Sequence, residues 1–276
     1  MTDRTEWTGK VGNVWADEWQ RTDRSFGQLT DRLLEIAQNE EFTRAVDIGC
    51  GAGEVTLRLA QANESAEIVG LDISEDLVSI ARERTSSQPN VRIELGDAAH
   101  WRAADRERPD CIVSRHGVMF FDDPVAAFAH VLSEVAPGAR MTFSCFRDRA
   151  DNVWVKELAG ALPPTSEPPA DPEAPGPFAF GKRERVVRIL GDAGWSDIDF
   201  DAIDYSMIAG RGSDAVDDAL SYFLRIGPAA RAVASLEGAE RRAAIASLRT
   251  MLERFCKDEA VALPAACWIV TARAPA

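Results

Sequence analysis

Several function classes need residues that this chain of 276 residues has little of. Histidine is scarce, with three at positions 100, 116 and 130, too scattered for a zinc site. The five cysteines (50, 111, 145, 256 and 267) form no C-x-x-C pair. No metal is therefore expected, and the cysteines read as small buried hydrophobes in a reducing cytoplasm. Basic runs are absent, and 31 Lys and Arg stand against 45 Asp and Glu, a net charge of −14. Phosphate backbones are bound by clustered Lys and Arg, so no nucleic-acid partner is expected. Long apolar runs are missing too. The stretch Ala260 to Val270 is uncharged but contains Pro264 and falls well short of the roughly 18 residues of a membrane span. The opening MTDRTEWTGK has no apolar stretch like that of a secretory signal, which makes a cytoplasmic location the expectation. What the chain does have is 46% hydrophobic residues, enough to bury a core and to exclude a wholly disordered polypeptide.

From about residue 44 the sequence alternates short apolar runs with helix-like segments. Arg44–Ile48, Glu67–Leu71, Val91–Leu95, Asp110–Ser114 and Arg140–Phe146 read as strands. Between them, Glu54–Asn63 places Val55, Leu59 and Ala62 on one helical face. Ser74 and Asp123 stand as N-caps, the second followed by Pro124 in a first turn running to Val135. Such alternation predicts an α/β, doubly wound, seven-stranded Rossmann-like sheet. The pattern breaks between Leu162 and Phe178, which hold 7 of the 14 prolines and read as a loop that covers a site. Lys182–Ala193 resumes as a helix, Ile198–Ser206 as a sixth strand, Ser213–Phe255 as helical, and Ala266–Ala272 as the last strand. The expected organisation is a helical cover over 1–43, a ligand-binding core over 44–149, a Pro-rich lid over 150–181, and a C-terminal part over 182–276 with a helical insertion at about 212–259.

Chemistry concentrates at the strand ends. Asp47-Ile48-Gly49-Cys50-Gly51-Ala52-Gly53 joins the first strand to the first helix of the alternating region, where glycines let a ligand approach the backbone and the helix offers free N–H groups. Asp72 closes the second strand, where a carboxylate accepts from a ribose diol, and Asp97 follows the third, beside the position an adenine would take. A dinucleotide fingerprint needs a third glycine at position 54, which is Glu54, and no G-x-x-x-x-G-K-[ST] exists. Carboxylates rather than phosphate-binding groups suit a cationic ligand carrying ribose and adenine.

The D-x-G-x-G-x-G turn, Leu71-Asp72-Ile73-Ser74, Gly96-Asp97-Ala98 and Val135-Ala136-Pro137-Gly138 together resemble class I S-adenosylmethionine-dependent methyltransferases. The segment Ser114-Arg115-His116-Gly117-Val118-Met119-Phe120-Phe121-Asp122-Asp123-Pro124 is similar to the bacterial ubiquinone/menaquinone-methyltransferase-like branch, as are Trp15-x-x-x-Trp19 and the Pro175–Phe180 stretch. The resemblance implies S-adenosyl-L-methionine as cofactor. It implies Asp47, Gly49, Cys50, Gly51 and Gly53 around the methionine part, Asp72 on the ribose, and Ile73 against the adenine. Asp97 and Ala98 would meet the adenine edge, and Ser114 and Arg115 would line the methyl-donor side. Trp19 would close over the cofactor, and the last strand would run antiparallel beside the fifth and sixth.

The activity implied is methyl transfer to a small or medium organic acceptor at O, C or S. A non-catalytic S-adenosylmethionine-binding sensor or assembly protein remains open, whereas a nicotinamide oxidoreductase is disfavoured by Glu54. The sulfonium is already an activated leaving group, so the site must align the acceptor and exclude water. His116, at the mouth of the site, is the candidate general base for an acceptor that must lose a proton, though a structural histidine fits the pattern as well. Trp15 and Trp19, four residues apart, suit plain core packing equally. The N/D-P-P-Y signature of amino-methylating DNA and protein enzymes is absent.

Overall fold

The computed structural model describes residues 7–103, 108–164, 171 and 173–276, with the Lys10 side chain left out. Three helices come first: α1 (Lys10–Asp17), α2 (Trp19–Ser25) and α3 (Gly27–Ala37). Then follow β1 (Arg44–Ile48), α4 (Glu54–Ala62), β2 (Glu67–Asp72), α5 (Glu75–Thr85), β3 (Val91–Leu95), β4 (Cys111–Arg115), α6 (Pro124–Glu134) and β5 (Arg140–Phe146). The remainder is α7 (Val153–Ala161), α8 (Arg183–Asp192), β6 (Ser196–Arg211), α9 (Ala215–Phe223), α10 (Gly227–Ala234), α11 (Gly238–Glu253), β7 (Cys256–Lys257) and β8 (Ala260–Arg273). Ser74 accepts from the Leu77 N–H at the start of α5, and Asp123 accepts from the Ala126 N–H at the start of α6, so both caps act as the sequence suggests.

The strands run in the order β3-β2-β1-β4-β5-β8-β6. The first five are parallel, and β8 lies antiparallel between β5 and β6. Every residue of β5 is buried, so both faces of the sheet are covered. The core is aromatic near its centre. Phe128 on α6, Phe143 on β5 and Phe180 pack with ring centroids about 6 Å apart, and Leu29 and Leu33 of α3 are wholly buried against the sheet.

Three details differ from the sequence reading. The described residues give eight strands rather than seven, because the two-residue β7 pairs with β8. The outer pair is far longer than expected, with β6 of 16 residues and β8 of 14. Pro264 is tolerated within β8 because on the side away from β6, β5 pairs only with residues 267–273 and β7 only with 260 and 261; Pro264 falls between them, and its missing N–H disrupts no ladder among the described residues. The helical stretch after Ser213 is three helices, broken at Gly227, which has φ +79°, and again before Gly238.

The described residues of the Pro-rich segment from Leu162 onward are irregular and follow α7. Its positions 165–170 and 172 lie outside the described residues, as do positions 1–6 of the expected N-terminal cover. Its far end docks firmly: Gly176 donates its N–H to the Met119 carbonyl, and the Phe178 ring packs on Phe146 and Trp154.

Candidate functional site

A cavity of about 410 Å³ opens at the C-terminal ends of β1, β2 and β4. β1 and β4 are neighbours where the strand order reverses, the place at which open α/β sheets bind ligands. Each parallel strand delivers one functional group as it ends. Asp47 lies on β1, Asp72 ends β2, Asp97 follows β3 and Arg115 ends β4, and all four reach the cavity wall. So do Gly49, Cys50, Gly51, Ile73, Ala98, His116 and Trp19.

The structure does not bring the remaining two candidates there. Ser114 is fully buried; its Oγ donates to the Ile48 carbonyl at 2.7 Å and accepts from the Gly117 N–H, lacing β4 to the end of β1. Gly53 adopts φ +83° as the residue before α4, and a Cβ there would lie 3.1 Å from the Ala81 side chain. It sets how α4 packs on α5 rather than lining the cavity.

Burial governs the electrostatics. Asp47 is 1% exposed, and its Oδ2 accepts from the Thr56 hydroxyl at 2.7 Å, while Oδ1 is buried with no partner among the described residues. Loss of water raises its carboxyl to about 6 against the pull of Thr56 and Arg115. Asp72 accepts the Gly51 N–H on Oδ2 at 2.8 Å and the Ser74 N–H on Oδ1 at 2.9 Å; burial nevertheless raises its carboxyl. Burial first, and then these two carboxylates, push the Cys50 thiol up, which leaves it protonated and unreactive.

His116 sits in the left-handed region at φ +65°. Its ring stacks on Phe146 with centroids 4.4 Å apart and meets the Phe26 ring at 5.1 Å. Nδ1 lies 3.3 Å from the Ser144 carbonyl oxygen, and Nε2 lies 3.9 Å from Cys267 Sγ. Burial, then the Arg115 charge, lowers it to about 3. A group so held is a weak proton acceptor at neutral pH. Its depressed folded value means that the unfolded chain binds the proton first as pH falls. Its contribution to stability is whole above about pH 6.5 and fades from there towards pH 3, opposed by Asp47, whose raised value acts in the other sense between about 3.8 and 6. Ring resonances of His116 should show no titration between pH 7.5 and 4.5; a midpoint above 5.5 would contradict the buried neutral ring.

The N-terminal helices close the cavity. Trp15 and Trp19 both line it, yet they belong to consecutive helices, since α1 stops at Asp17 and α2 starts after Glu18. Arg84 on α5 lies 3.9 Å over the Trp19 ring. Arg84 also pairs with Glu54 at 2.7 Å and with Asp23 at 2.9 Å, and Asp23 pairs with Arg115 at 2.8 Å. Sequence reasoning missed Asp23, Trp7, Phe26 and Phe146, which complete the wall. Met119, Phe120 and Phe121, an apolar run just past β4, line the same chamber.

Residues 45–138 match a family described as a methyltransferase domain. Over that stretch the chain is similar to a methyltransferase domain. It is 37% identical over 106 residues to a trans-aconitate 2-methyltransferase of Variovorax paradoxus, covering 38% of this chain and 39% of that protein. It is 29% identical over 108 residues to a demethylmenaquinone methyltransferase of Staphylococcus carnosus, covering 39% and 44%. The chain thus aligns with less than half the length of these curated relatives. A crystal structure of a methyltransferase-like protein from Bacillus halodurans shares the fold, with a TM-score of 0.57 at 15% identity, covering 90% of this chain and 99% of that one. Among the described residues no helix is long and apolar enough to cross a membrane.

Proposed function

We propose that the chain is an S-adenosylmethionine-dependent methyltransferase acting on a small or medium organic acceptor enclosed in this cavity. One observation carries the reading: two buried carboxylates, Asp47 and Asp72, line a single cavity, and Oδ1 of Asp47 has no partner among the described residues. Buried charge of this kind calls for a cationic or donor-rich ligand. S-adenosylmethionine fits, since its methionine end carries an ammonium and its ribose two hydroxyls. It supplies a methyl group on a cationic sulfur.

The chain's residues then bind, orient and exclude water. Asp47 and the Gly49–Gly51 turn would hold the methionine part and Asp72 the ribose, with Ile73, Asp97 and Ala98 around the adenine. Each oxygen of Asp72 already accepts one backbone N–H, which fixes the carboxylate while leaving each oxygen a second lone pair for a hydroxyl. Trp19, Trp15 and Pro177 enclose the acceptor end. His116 shapes that end as a neutral ring, so proximity and alignment carry the reaction rather than a histidine base.

Calorimetry with S-adenosylmethionine, followed by S-adenosylhomocysteine production in a metabolite extract, tests both halves. Binding without product would favour the sensor, and absence of binding would end the reading. Asp72→Ala should weaken S-adenosylmethionine by about 1.5–3 kcal/mol through loss of charge-assisted hydrogen bonds. Unchanged affinity would remove the ribose assignment.

A further inference from the structure

Among the described residues that line the cavity, Arg115 is the one Lys or Arg, against six aspartates. That cation is not free. Its Nη1 donates to Thr30 Oγ1 and its Nη2 to Asp23 Oδ1, each at 2.8 Å. The second oxygen of Asp23 is taken by Arg84, which is itself held by Glu54 and the Ala52 carbonyl. Thr30, Arg115, Asp23, Arg84 and Glu54 thus form a chain in which two positive and two negative side chains alternate and sum to zero. The pair at its centre is largely withdrawn from water, with side-chain exposure of 13% for Arg115 and 14% for Asp23. The cavity wall is otherwise rich in apolar rings. Trp7 meets Phe120 edge-on at 5.1 Å and Trp15 at 5.4 Å, Met119 and Phe146 line the wall too, and the Phe26 ring lies 5.5 Å from the Arg115 guanidinium.

We propose that Asp23 sets the charge selectivity of the acceptor end: by occupying Arg115 it leaves the described cavity wall no unpaired Lys or Arg to offer, so the acceptor is a planar, apolar molecule bearing no anionic group. This rests on the methyltransferase reading above and names the acceptor class for it. The reason is differential desolvation. A carboxylate entering this chamber sheds its water, gains no charged donor and meets the aspartates at the wall. An uncharged aromatic ring of the same shape loses little water and stacks on the tryptophan and phenylalanine faces. Removing the Asp23 charge shifts the balance, because Arg115 then loses its ion pair and keeps the Thr30 hydrogen bond, the Phe26 ring 5.5 Å away and the field of buried Asp47, and can fork onto a carboxylate.

The test uses two isosteric probes, 2-naphthamide and 2-naphthoate, titrated by calorimetry into the full chain saturated with S-adenosylhomocysteine. Wild-type protein should bind the amide at least tenfold more tightly than the carboxylate. Asp23→Asn should tighten naphthoate at least tenfold with little change for the amide, and Asp23→Asn combined with Arg115→Gln should lose that gain. Asp23→Ser repeats the comparison should the asparagine variant fold poorly, with S-adenosylhomocysteine binding as the check on folding. Equal wild-type affinity for both probes overturns the proposal, as does failure of both to bind the loaded protein. Naphthoate binding that stays weak in folded Asp23→Asn and Asp23→Ser overturns the role of Asp23. Failure of wild-type protein to bind S-adenosylhomocysteine at all is a different result, and counts against the cofactor assignment rather than against acceptor selectivity.

Discussion

Gly51→Val should reduce S-adenosylmethionine affinity at least ~1000-fold, about 4 kcal/mol, while the protein stays folded. Gly51 has φ +54°, a conformation that a β-branched residue adopts only with strain. A Cβ built there meets no protein atom within 4 Å, so the fold has room for it. That open space is the cavity, because Gly51 lies on its wall. A valine would therefore fill ligand volume rather than collide with the core. The same backbone N–H donates to Asp72 Oδ2, so relieving the strain by rotating the turn would also misplace the carboxylate. Two losses act together on binding, whereas stability suffers only the backbone strain, on the order of 1–3 kcal/mol. Gly51→Ala should fall between wild type and valine. Calorimetry beside urea unfolding separates the two effects. Ligand affinity within tenfold of wild type in a folded Gly51→Val protein would show that this turn is not the cradle.

How far the sequence led depended on whether a feature was local. The parallel core was legible because β1 and β2 read as short, mostly apolar runs ended by glycine or aspartate, because β3 alternates, and because Ser74 and Asp123 mark helix starts within three residues of the N–H groups they cap. The same logic located Asp47, Asp72 and Asp97, since a carboxylate at a parallel strand's end points at the crevice whatever else the chain does. Ser114 misled for the opposite reason. Position at the strand's end was right, but the side chain turns to the Ile48 carbonyl, a choice that only the neighbouring strand reveals. The acceptor wall was hidden because it joins distant segments: Asp23 meets Arg84 61 residues away and Arg115 92 away. The length of β6 and β8 was hidden as well. Their outer halves pair with each other and, at Ala260 and Val261, with the short β7, and Pro264 reads as a breaker until its unpaired side is seen.

Asn152→Ala should lower stability by about 3–5 kcal/mol, although Asn152 lies away from the cavity and carries no sequence motif. It precedes α7 and is fully buried. Its Nδ2 donates to the carbonyls of Arg147, Asp148 and Ala266 at 3.1–3.2 Å. Its Oδ1 accepts from the Ala266 N–H at 2.9 Å and from Trp154 Nε1 at 3.1 Å. One amide thus joins the end of β5, the middle of β8 and the start of α7, and satisfies the buried backbone of Ala266 and the buried indole N–H of Trp154. Alanine would strand the Ala266 N–H and the indole N–H together, each a desolvated donor worth about 1–3 kcal/mol. Asn152→Asp should be destabilising as well, because the carboxylate keeps the two acceptor bonds but loses the donors to three carbonyls and buries a charge among them. Trp154 packs on Phe146 and Phe178, so a loosened indole should also free the Pro-rich segment where it reaches the cavity at Pro177. Urea unfolding measures the first effect, and the rate of proteolysis between residues 162 and 178 the second. A loss below about 1 kcal/mol would mean that the strand, helix and segment are held by packing alone.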